Sequence, residues 1–175
     1  MVASENVMAS YLTRLMTLDN LTKTISRLTE ALKPHANQFD TIAFRGVSGT
    51  MIGPILAMNL QKEMLVVRKL PHESHASHSW RLVEGNGECQ KYIIVDDIVA
   101  SGATLFNICD EIRNVGNWVY GPPKCVGLAT FLQGFIPLKP EYDSEDWDDI
   151  YTDWGKFYKA SLNKDAFWVD VKNQL

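Results

Sequence analysis

The segment 92–105, YIIVDDIVASGATL, sets two adjacent carboxylates, Asp96 and Asp97, at the end of an apolar run. Small and hydroxyl-bearing residues follow, Ala100, Ser101, Gly102, Ala103 and Thr104, and these lead into a helical pattern. Charge at the end of a buried strand is expensive to desolvate, so a pair of acids there points to a ligand that takes them up. In an open parallel sheet, ligands bind beyond the carboxyl ends of the strands. The backbone N–H groups of a small-residue turn that opens a helix form an anion cradle, with the helix dipole behind them. Acids and cradle together fit one molecule that carries sugar hydroxyls, or a metal, at one end and a phosphate at the other. A competing reading makes the two aspartates helix caps; one capping Asp is common, two in succession before S-G-x-T much less so.

The elements that must hold these residues follow from periodicity. Residues 4 to 33 read as two helices, one capped by Ser4 and a second capped by Asp19 or Asn20 with Leu21, Ile25, Leu28 and Leu32 on one stripe. Pro34 ends the second. TIAFR (41–45) is a short buried strand, GVSG (46–49) a turn, and Met51 to Leu60 a helix with Pro54 in its first turn. MLVVRK (64–69) is a second strand. A polar, His-rich loop covers about 70–80, and WRLVEG begins a strand beyond it. Asn86 and Gly87 make a turn, YIIVDD a core strand, Ala103 to Val115 a helix, CVGLATFL (125–132) another strand and FWVDV (167–171) a last one. Strands alternating with helices predict an α/β fold, a central mostly parallel sheet with helices on both faces. The expected organisation is N-terminal helices over 1–38, a ligand-binding α/β core over 39–132 and a small C-terminal unit over 133–175.

Composition limits the alternatives. At 175 residues and 46% apolar content the chain can bury a real core as one domain. The net charge of −4 with no basic block argues against a nucleic-acid partner. No apolar run approaches the roughly 20 residues needed to span a bilayer, and MVASENVMAS lacks the pattern of a signal peptide. Three cysteines, Cys89, Cys109 and Cys125, are odd in number and never in CxxC spacing, which points to free thiols in a reducing cytoplasm. His72, His75 and His78 recur every third residue in the loop, but no Cys or carboxylate is fixed beside them to complete a metal site.

VDDIVASGATL resembles the 13-residue phosphoribosyl-pyrophosphate (PRPP) motif of type I phosphoribosyltransferases: an apolar strand, two acids, variable residues, a small residue, then T/S-G-x-T. The resemblance implies that Asp96 and Asp97 contact the ribose hydroxyls and that Ala100, Ser101, Gly102, Ala103 and Thr104 hold the 5-phosphate. FRGVSGTMIGP resembles the family's pyrophosphate-binding turn, which often carries a non-proline cis peptide. That implies pyrophosphate contacts from the turn Gly46, Val47, Ser48 and Gly49, with help from Arg45. Adenine enzymes have an arginine where Ser48 stands, so this position departs from their pattern. VVRKLP (66–71) is similar to the stretch of adenine and orotate members in which an Arg-Lys pair leads into a flexible lid. Arg68 and Lys69 would then meet the pyrophosphate, and 70–80 would be the lid. The resemblance covers about residues 41–132.

The family's activity would be transfer of a 5-phosphoribosyl group from PRPP to a nucleobase with release of pyrophosphate. Mg²⁺ is implied as cofactor, held directly or indirectly by Asp96 and Asp97. Ala100 lacks the Asp of enzymes for 6-oxopurines and resembles the adenine type, so a purine is expected before a pyrimidine. The C-terminal unit would be the hood over the base, with Trp147, Tyr151 and Trp154 as stacking surfaces. Relatives are usually homodimers. The alternative is a catalytically weak PRPP- or nucleotide-binding regulator on the same fold, for which Ser48 leaves room.

Overall fold

Thr41–Arg45 (β1) and Lys91–Asp96 (β4) are apolar on both sides, and such strands need cover on both faces. They lie side by side at the centre of a six-stranded sheet of order β3-β2-β1-β4-β5-β6. The computed structural model describes residues 12–13, 15–69, 82–99, 102–132 and 166–171. Around the central pair stand β2 (Glu63–Val67), β3 (Val83–Gly85), β5 (Lys124–Thr130) and β6 (Phe167–Asp170). All pairings are parallel except β2 with β3. The expected mostly parallel α/β sheet is what the chain forms.

The helices are α1 (Leu18–Leu32), α2 (Gly46–Leu60) and α3 (Ala103–Arg113). One face of the sheet is covered by α1 and α2, through Leu28, Leu32, Ile52 and Leu56 against Ile42, Phe44, Ile93 and Val95. The other is covered by α3, through Leu105, Ile108 and Ile112 against Ala43, Leu65 and Ile94. Alternation along β1 and β4 sends successive side chains to opposite faces, so each strand serves both cores. Asp40 pins the register at the amino ends. Its carboxylate accepts the N–H of Lys91 at 2.9 Å and of Gln90 at 3.2 Å. No helix among the described residues is long and apolar enough to cross a membrane.

Several boundaries move. The helix expected to be capped by Asp19 or Asn20 starts earlier: Thr17 is its N-cap and accepts the Asn20 N–H at 3.4 Å. Residues 46–49 are not a separate turn before a helix starting at 51. Gly46 takes a left-handed φ of 70°, which turns the chain within one residue, and α2 begins at once. Pro54 consequently lies inside α2 and not in its first turn. It cannot bond the Thr50 carbonyl, but Thr50 is exposed, and water can satisfy that group. The second strand stops at Val67, leaving Arg68 and Lys69 beyond it, and α3 stops at Arg113. The first expected helix, the loop about 70–80 and the C-terminal unit up to 165 fall largely or wholly outside the described residues.

Candidate functional site

Strand order fixes where a site can be. From β1 the chain crosses through α2 to β2 on one side; from β4 it crosses through α3 to β5 on the other. The connections diverge between β1 and β4, which opens a crevice beyond their carboxyl ends. A cleft of about 540 Å³ lies there. Arg45, Gly46, Val47 and Ser48 line it from the β1–α2 junction, Asp96 and Asp97 from the end of β4, Gly102 and Thr104 from the start of α3, and Lys69 from beyond β2.

α2 reaches this junction because it packs unusually close to β1. A Cβ at Gly53 would stand 2.3 Å from Phe44 Cδ1, so only glycine admits the approach. Gly49 permits the same close approach: a Cβ there would meet Phe44 Cβ at 2.9 Å.

Asp96 and Asp97 are both buried, at 6% and 7% exposure. Asp96 Oδ1 accepts the Asp97 N–H at 2.9 Å and the Ser48 hydroxyl at 3.4 Å; Asp97 Oδ1 accepts the Ile98 N–H at 2.8 Å. The Asp97 carbonyl accepts the N–H groups of Phe131 and Leu132, tying the acid pair to the end of β5. Burial, then the neighbouring Asp97 charge, pushes the Asp96 carboxyl up to about 7. No cation pairs with Asp96 among the described residues, so its charge is left for a hydroxyl donor or a metal ion. At the start of α3, Gly102 is the N-cap with φ 79°, and no side chain caps the helix. That first turn presents backbone N–H groups to the cleft.

The cations divide. Arg45 and Lys69 reach the cleft. Arg45 Nη1 is buried without a hydrogen-bond partner among the described residues. Arg68, expected beside Lys69, is placed elsewhere: its guanidinium pairs with Glu84 and its N–H donates to the Leu82 carbonyl at 2.7 Å. Ala103 opens α3 on its exposed side. No peptide bond among the described residues is cis. Ala100 and Ser101, together with Trp147, Tyr151 and Trp154, lie outside the described residues.

The sequence reading missed the apolar wall of the cleft. Leu12 and Met16, just before α1, line it together with Ile98, Val99 and Leu105. Leu12 carries a helical periodicity signal, but periodicity marks a residue for burial without saying against what. Met16 is 52% exposed and gives no signal of its own.

No protein-family model matches the sequence. The adenine phosphoribosyltransferase of Bifidobacterium longum is 32% identical over 110 residues, 55% of this chain and 56% of that one. The alignment thus spans little more than half the length of that relative. The adenine phosphoribosyltransferase of Mus musculus is 32% identical over 138 residues, 70% of this chain and 74% of the mouse chain. Among solved structures, the adenine phosphoribosyltransferase of Leishmania donovani superposes with a TM-score of 0.60 over 94% of this chain and 69% of that one, at 15% identity, which is a likeness of fold. With the mouse protein matched over nearly three quarters of its length, this chain belongs to the type I phosphoribosyltransferase family, adenine- and orotate-like.

Proposed function

We propose that this protein transfers the 5-phosphoribosyl group of PRPP to a purine base, with adenine the first candidate, and releases pyrophosphate. The observation that carries the reading is the polarity of a single cleft. Two buried acids stand at its β4 side and an open helix N-terminus lies beside them. Two cations, with no acid partner among the described residues, stand at its β1–β2 side. A ribose bearing a phosphate at one end and a diphosphate at the other needs all three. The adenine phosphoribosyltransferase relatives support the same substrate class.

In this reading Asp96 and Asp97 accept hydrogen bonds from the ribose 2- and 3-hydroxyls. The first turn of α3, with Thr104 and the preceding Ala100 and Ser101, receives the 5-phosphate. Arg45 and Lys69 face the diphosphate, where negative charge grows as the C1–O bond breaks and the base nitrogen bonds to C1. The apolar wall of Leu12, Met16 and Val99 limits water around an oxocarbenium-like transition state.

The donor set also fits Mg²⁺. Hard carboxylate oxygens with no cation on Asp96 suit it, and Asp96 and Asp97 would hold it together with substrate oxygens. When bound it would neutralise charge on the departing pyrophosphate.

The test is pyrophosphate release from PRPP and Mg²⁺ with adenine, hypoxanthine, guanine and orotate in turn. Adenine is expected to turn over. Asp97→Asn is expected to lower kcat/KM at least about tenfold, the loss of one charge-assisted hydrogen bond, without lowering the melting temperature. Near-normal turnover by that variant would count against the assignment. PRPP binding with no turnover on any base would instead support the regulator.

A further inference from the structure

Asp96 leaves only one of its two carboxylate oxygens to the cleft. Oδ1 is taken up inside the protein, accepting the Asp97 N–H at 2.9 Å and the Ser48 hydroxyl at 3.4 Å. Oδ2 has no hydrogen-bond partner among the described residues, and Asp96 lines the cleft. The two donors differ in what they can fix. The Asp97 N–H belongs to the next peptide and moves with Asp96. Ser48 stands on α2, 48 residues away in sequence, and ties the carboxylate to a different part of the fold.

Two glycines bring Ser48 to that place. Gly46, at φ 70°, turns β1 directly into α2. Gly49 lets the first turn of α2 lie against β4 itself: a Cβ on it would stand 3.3 Å from the carbonyl oxygen of Val95, the residue just before Asp96. Ser48 is thereby held at 7% exposure with its hydroxyl on the carboxylate. The terminal torsion of an aspartate is broad, so its backbone alone does not decide which oxygen faces a ligand. A partner on a second element restrains that rotation, as outer hydrogen bonds commonly do for ligating groups. At 3.4 Å the bond is long for a hydroxyl and a carboxylate, so it steers Asp96 and leaves its charge for the ligand.

We infer that Ser48 is a positioning residue for the ribose end of the substrate: it holds Asp96 Oδ1 so that Oδ2 meets a ribose hydroxyl, and its effect does not extend to the diphosphate. This rests on the phosphoribosyl-transfer reading for the identity of the whole substrate, but the two ends can be measured separately and without transfer.

The experiment is calorimetric titration, in a chelator, of ribose 5-phosphate and separately of inorganic pyrophosphate. The proteins are wild type, Ser48→Ala, Ser48→Thr, Asp96→Ala and the double variant Ser48→Ala with Asp96→Ala, each with its ligand-free melting temperature. Ser48→Ala should weaken ribose 5-phosphate about threefold to tenfold, the range of one ordinary hydrogen bond, and leave pyrophosphate affinity unchanged. Ser48→Thr keeps the hydroxyl and should bind both like wild type. Once Asp96 is alanine, Ser48→Ala should add no further loss, because a residue that acts through another is not additive with it. A serine that only supported the fold would lower the melting temperature, weaken both ligands and add the same loss in either background. Ser48→Ala keeping full affinity for ribose 5-phosphate, losing as much for pyrophosphate, or losing equally with and without Asp96 overturns the assignment. If wild type turns over a base while Ser48→Ala binds ribose 5-phosphate unchanged, only this inference fails. If ribose 5-phosphate depends on Ser48 through Asp96 but no base is ribosylated, the inference stands and the transfer reading fails.

Discussion

Replacing Asp96 by asparagine measures how much stability the fold gives up for its site. Asp96 is 6% exposed, and its carboxyl is held at about 7 against an ordinary 3.8, first by burial and then by the charge of Asp97. The folded chain therefore binds this proton more tightly than the unfolded chain does. Below the unfolded value both forms are protonated and nothing is lost. As pH rises through the window from 3.8 to about 7, the unfolded chain releases its proton first, and stability falls. At about 1.4 kcal/mol for each pH interval, the loss across that window reaches about 4 kcal/mol. The asparagine of Asp96→Asn cannot ionise, yet it keeps an oxygen for the Asp97 N–H and the Ser48 hydroxyl. The variant's stability should lack this pH-dependent loss, so above neutrality it should exceed wild type. At roughly 2–4 °C per kcal/mol for a chain of this size, the gain in melting temperature is about 8–16 °C. Thermal denaturation followed by circular dichroism across this pH range, in a chelator and without ligand, reads it directly. On the proposed function, catalysis should fall in the same variant, because an N–H donor would then stand where a ribose hydroxyl needs an acceptor. Parallel melting curves for the two proteins at every pH, or a wild type that gains stability from acid to neutral relative to the variant, would refute the reasoning.

Three further outcomes follow from the geometry. Gly53→Ala forces a methyl to within 2.3 Å of the Phe44 ring, itself 1% exposed, and should destabilise by about 1–3 kcal/mol in urea denaturation; a neutral result would mean that α2 sits further from the sheet. Gly46→Ala must adopt φ 70° and press on Lys69 Cε, so it should lose about 1–2 kcal/mol of stability and weaken pyrophosphate binding, read by melting temperature and calorimetry. Asp40→Ala removes the acceptor of the Lys91 and Gln90 N–H groups at the opposite end of the sheet; it should lower the melting temperature, with KM for PRPP unchanged in the protein that remains folded.

Much of this was legible in the sequence because it is locally encoded. The runs TIAFR and YIIVD have the apolar continuity of strands covered on both faces, and they fall at β1 and β4 as expected. Asn86 forms the turn expected of it, its side chain accepting the Glu88 N–H at 3.0 Å. The boundaries that moved did so where a single backbone angle or a tertiary contact decides. Gly46 could have been a loop glycine; its left-handed φ joins strand directly to helix. Pro54 signals a helix start by propensity, but α2 is held by packing on both the sheet and α1, which outweighs one missing hydrogen bond.

The sequence by itself determined that two acids end a buried strand, that small residues follow them, and that strands and helices alternate into a parallel sheet. Each of these is a property of neighbours along the chain. Only the tertiary structure decided which distant residues share the cleft. Sheet order puts Arg45 and Ser48 of the β1–α2 junction beside Asp96. Pairing of β2 with β3 draws Arg68 to Glu84 while Lys69 stays at the cleft, and Leu12 and Met16, just before α1, come to its wall. Adjacent residues such as Arg68 and Lys69 carry the same charge in the sequence. What separates their tasks is direction, and direction is set by long-range strand pairing, which local propensity does not encode.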